Sequence, residues 1–102
     1  MSIRAANAFL KAAEIEEQKQ ADQMKLAELH RAVERLTEEF QQRDLDARVH
    51  SGHVNHLCKQ GRRPTKSILD ELEDDRVRVQ WLDREIRMRK AEVEQLRAKK
   101  YG

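Results

Sequence analysis

The chain has 102 residues, of which 39% are Asp, Glu, Lys or Arg and only 4% aromatic, and its formal net charge is +2. That length leaves room for one modest domain, and the shortage of bulky apolar residues excludes a thick globular core. The near-balance of charge lacks the cationic excess of a nucleic-acid binder, and no stretch approaches the roughly 18 apolar residues that span a bilayer.

The N-terminal segment carries Arg4 and then the short apolar run Ala5, Ala6, Asn7, Ala8, Phe9 and Leu10 before Lys11. This is too brief for the apolar region of a secretory signal, so a cytoplasmic location is expected. The single cysteine, Cys58, forbids an internal disulfide and fits a reducing compartment.

From about residue 2 to residue 58 an apolar seven-residue repeat runs without a phase change. Ala12, Leu26, Val33, Phe40, Ala47 and Val54 fall at one core position; Ile15, Leu29, Leu36 and Leu57 fall at the other. Disordered chains have no reason to keep such a phase, so the spacing predicts one long helix with an apolar seam. Gly52 costs about 1 kcal/mol inside a helix, yet Val54 and Leu57 continue the phase beyond it. The helix is therefore expected to read through.

Residues 59–64, Lys-Gln-Gly-Arg-Arg-Pro, form the break. Gly61 suits a left-handed helix cap, and Pro64 cannot continue the helix. A second helix is expected over about 65–100. Leu72, Val79, Ile86 and Val93 occupy one of its core positions, and Ile68, Leu82 and Leu96 the other. Ser67 with Asp70 resembles a capping box, and the acidic residues Asp70, Glu71, Glu73, Asp74 and Asp75 suit the positive end of the helix dipole. Arg97, Lys99 and Lys100 suit the opposite end.

Two seams of this kind predict an all-α fold, a long antiparallel two-helix coiled-coil hairpin that self-associates. A pivot at Gly61 sets Phe40 against Leu82, Leu36 against Ile86 and Leu29 against Val93. It also gives the imperfect layers Ala47 with Asp75 and Arg43 with Val79, and it closes with Asp22 facing Lys100. A rival register sets Phe40 against Ile68 and Leu29 against Val79. It gains an apolar layer but needs a long loop around Gly52, and the Gly61 pivot is preferred. With that pivot residues 1–20 overhang the second helix. The apolar positions Ala5, Ala8, Phe9, Ala12 and Ile15 on this arm are expected to meet another helix, from a second copy or a different protein.

Three other groups merit weighing. His50, His53, His56 and Cys58 have some metal-ligand chemistry, but on an intact helix Cys58 points nearly away from His56, and four ligands do not converge. No metal or cofactor is expected. Lys59, Arg62, Arg63 and Lys66 crowd the tip, and could face an anionic partner, but no aromatic platform lies beside them. Trp81, the sole tryptophan, falls just off the seam and is either a flank of the core or a binding anchor. Enzyme signatures such as a phosphate loop or nucleophile elbow are missing, so no catalytic role is expected. The leading expectation is a coiled-coil protein–protein interaction module, an adaptor, stalk or assembly factor acting as a homodimer. The alternative is a small regulator whose basic tip contacts nucleic acid or an enzyme that handles it.

Overall fold

The structure, a computed structural model, describes residues 2–101. Two helices account for nearly all of it: α1, Ile3–Lys59, and α2, Lys66–Ala98. They pack side by side into a rod of 87 × 19 × 14 Å. The expected helical hairpin is what forms, and α1 passes through Gly52 without interruption.

Each boundary has a local cause. The Ser2 hydroxyl accepts a hydrogen bond from the Ala5 amide at 3.1 Å and closes the start of α1. At the other end Gly61 adopts φ 70°, which a residue with a β-carbon reaches only under strain. The turn lets the Arg62 amide donate to the Leu57 carbonyl at 2.9 Å, and the Gly61 amide to Cys58 at 3.0 Å. These two bonds satisfy carbonyls that the helix end would otherwise orphan. Thr65, extended at ψ 156°, then caps α2 by accepting from the Ile68 amide at 3.3 Å. The expected Ser67 cap is not used. Thr65 directly follows Pro64 in extended geometry and takes that role two residues earlier. Asp70 and Glu71 consequently lie beyond the first turn of α2, and Lys99 and Lys100 lie past its last helical residue.

The core is a single seam. Leu29, Leu57, Leu72, Leu82 and Val93 are buried, and Leu82 is sealed at 0% exposure. Leu26, Val33, Leu36, Phe40, Ile68, Val79, Ile86 and Leu96 are half-buried around them. Two helices can enclose only a stripe one side chain deep, so the flanks remain wet.

Cross-helix contacts fix the register. Arg78 pairs with Glu39, His50 with Glu71, and Lys99 with Asp22. Each pair straddles Gly61 almost symmetrically, as the Gly61 pivot requires. The rival register would set residue 22 about a dozen residues from Lys99 and is excluded.

Candidate interaction surfaces

Two carboxylates sit at seam positions where a coiled coil ordinarily places apolar side chains. Asp75, 4% exposed, accepts from Arg43 Nη1 at 3.2 Å, and from His50 Nδ1 at 2.5 Å. His50 Nε2 lies 3.5 Å from Glu71 on the outer side. The expected layers of Ala47 with Asp75 and Arg43 with Val79 are thus rearranged. Arginine and histidine are long enough to reach along the seam to the buried acid, while alanine offers it no donor.

Asp22 closes the open end. Gln18 Nε2 donates to its Oδ1 at 2.9 Å, while Lys99 Nζ, 2.8 Å away, and the Tyr101 hydroxyl both meet its Oδ2. Lys99 and Tyr101 are therefore the partners, rather than the expected Lys100, because the chain past Ala98 is extended and swings both side chains inward. The Lys19 and Lys99 ammoniums also lie 5.6 and 5.5 Å from the Tyr101 ring centre, which adds a cation–π component.

These contacts set the titration of the clasp. The bonds from Lys99 and then Tyr101 stabilise the Asp22 carboxylate and hold its pKa at about 2, below the ordinary 3.8. The same carboxylate pushes the Tyr101 hydroxyl above its ordinary 10.0. A depressed carboxyl contributes stability above its unfolded pKa and loses it as pH falls through the folded value. The open end should accordingly loosen between pH 3.8 and about 2. NMR of the Tyr101 and Asp22 resonances during acid titration should show this transition, and Asp22→Asn should abolish it. An identical acid transition in the variant would contradict the assignment.

Beyond the Asp22 clasp, residues 3–21 of α1 have no facing helix among the described residues. On that arm Ala5, Ala8, Phe9 and Ala12 are exposed, Phe9 at 69%, and Ile15 is half-buried. At the tip Lys59, Arg62, Arg63 and Lys66 are all exposed. Of the histidine row only His50 is drawn into the interface; His53, His56 and Cys58 stay exposed. Among the described residues no group of His, Cys, Asp or Glu is arranged to hold a metal ion. Among the described residues no helix is long and apolar enough to cross a membrane.

Trp81 is 38% exposed, on the outer side of α2. The Arg78 guanidinium stacks 4.4 Å from its ring centre and at the same time binds Glu39 at 2.6 Å. Around it Asp74, Val77, Arg78, Trp81 and Arg84 line an open cleft of about 380 Å³. The sequence pointed to Trp81 and its arginines, to Asp75 in the seam and to Asp22 at the closing end, but not to the partners of the two acids: Arg43 and His50 for Asp75, Lys99 and Tyr101 for Asp22. The available signal was an aspartate at a heptad core position with a long cation near it on the facing helix.

The chain matches no protein-family model, no curated protein and no solved structure.

Proposed function

We propose that the hairpin is a non-enzymatic coiled-coil interaction module, an adaptor, stalk or assembly factor working in the cytoplasm. Its N-terminal arm and the outer face of α2 dock helices of other chains. The observation that carries this reading is the arm. Residues 3–21 continue α1 as a helix that no intramolecular helix covers, and they expose Ile3, Phe9 and Leu10. An isolated helix of that length is marginal in water, so a docked partner supplies what the sequence leaves unpaired.

The clasp supports the same view. Gln18, Asp22, Lys99 and Tyr101 end the intramolecular pairing at a defined point. What lies beyond it is helical and apolar. Removing residues 2–16 tests this. The expected outcome is loss of the proteins that cross-link to the intact chain in its own cell, with the hairpin melt unchanged. Phe9→Asp, a single exposed change, should have the same effect at lower cost to the helix. Retention of every cross-linked partner by both variants would overturn the reading.

A further inference from the structure

The outer face of α2 carries a second apolar stripe that the hairpin does not use. Val77, Trp81, Met88 and Ala91, together with the intervening Arg84, follow one another at spacings of four, three, four and three residues, and all are exposed. Val77 is 56% exposed and Met88 55%. A stripe of this spacing fits one more helix. We infer that its occupant is a second copy of α2, packed antiparallel about a two-fold axis, giving a four-helix assembly with the two α2 helices at its centre. This deepens the module reading by naming one partner and its site.

Charge complementarity identifies the occupant. Within the hairpin, Glu39 and Arg78 each directly precede a seam residue, Phe40 and Val79, and they pair at 2.6 Å. The same offset across an antiparallel α2 pair brings Glu73 to the partner's Arg87 and Lys66 to the partner's Glu94. On the other flank Arg78, Glu71 and Glu92 are already held within their own hairpin by Glu39, His50 and Arg89, and they add no further pair. The two-fold doubles every pair. Gln80 on one flank and Glu85 on the other meet their own copies, and Glu85 is already held by Arg89 at 3.4 Å. A face that complements itself under rotation is the signature of an isologous dimer.

The stripe itself decides the direction. Antiparallel packing sets Val77 against the partner's Met88, Trp81 against the partner's Arg84 and Asp74 against the partner's Ala91. The Trp81 cleft, lined by Asp74, Val77, Arg78, Trp81 and Arg84, then receives the partner's Met88 against Val77, with the partner's Arg84 against the Trp81 ring. A parallel pair loses the Glu73–Arg87 and Lys66–Glu94 pairs and stacks Asp74 on Asp74 and Arg84 on Arg84, which like-charge repulsion disfavours.

The assembly has a distinctive shape. The axis falls between Gln80 and Glu85, well off the middle of the rod, so the two hairpins slide past each other. At 1.5 Å per residue the pair spans about 110 Å, with one bare arm at each end. The dimer is then a rod with two identical, oppositely directed grips.

Sedimentation equilibrium and small-angle scattering of the full chain test this. The expected result is twice the chain mass and a maximum dimension near 110 Å. Met88→Asp should weaken association at least tenfold while leaving the melt of the hairpin intact. Arg87→Glu should also weaken it, and Glu73→Arg in the same chain should restore it. Mixing Asp74→Cys chains with Ala91→Cys chains, both carrying Cys58→Ser, should give mixed-chain cross-links. A single-chain mass at micromolar concentration, a dimer insensitive to Met88→Asp, or no 74–91 cross-link would each overturn the proposal. None of these bears on the arm, whose deletion is expected to leave two chains per particle.

Discussion

Leu82→Ala should cost about 2–5 kcal/mol and lower the thermal midpoint by roughly 10 °C or more. Among the described residues Leu82 is the one fully sealed large side chain, at 0% exposure, in a seam that holds only five buried apolar residues. A globular core can collapse partly into a cavity from several sides. A two-helix seam has neighbours on one side only, so little relaxation is available to offset the lost contacts. Thermal and urea unfolding followed by circular dichroism measures the change. Leu82→Met, which conserves volume, should cost less than about 1.5 kcal/mol, separating cavity formation from general sensitivity. Equal effects of the two substitutions would contradict this account of the core.

Asp75 is expected to show the second large effect, and its sign depends on the replacement. Asp75→Ala removes the acceptor for Arg43 and His50 and leaves a gap at the seam, at a cost of about 1–3 kcal/mol. The Arg43 head is 44% exposed and can turn outward, which holds the cost below that of a sealed ion pair. Asp75→Leu instead completes the apolar stripe. Replacing a buried charge by a well-packed apolar residue is often neutral or stabilising, so its melt should hold or rise. What should be lost is discrimination, because a polar seam position penalises every alignment that leaves it unpaired. Chemical denaturation gives the stabilities, and a distance distribution between labels on α1 and α2 gives the register. A narrow distribution in Asp75→Leu would show that the acid does not specify the alignment.

These two residues also show how far the chain can be read unaided. The heptad phase, Gly61 and Pro64 are local signals, and they sufficed for two helices, the turn and the pivot. The seam layers followed because apolar contact depends on position alone. Arg43, His50 and Asp75 did not follow, since long polar side chains choose partners by reach and donor geometry rather than by the layer they occupy. Tyr101 was passed over for a similar reason. It lies outside both helices, and nothing in the heptad pattern says that the chain past Ala98 turns its ring back onto Asp22. The Thr65 cap is a smaller instance: Ser67 and Thr65 both qualify chemically, and the extended geometry following Pro64 selects between them. For the interaction surfaces, Phe9 and Trp81 were visible as apolar residues off or beyond the paired seam. The stacking of Arg78 on Trp81 and its bond to Glu39 needed the folded pair.

Everything rests on α1 and α2 of one molecule lying alongside each other about Gly61. Pulsed electron spin resonance between labels at His30 and Lys90, both exposed, tests this directly in chains carrying Cys58→Ser and diluted with unlabelled protein. Paired helices whose axes lie about 10 Å apart predict a single narrow distance of about 15–20 Å. A distance near 90 Å, as for one continuous helix, or a broad spread over several tens of ångströms, would contradict the hairpin.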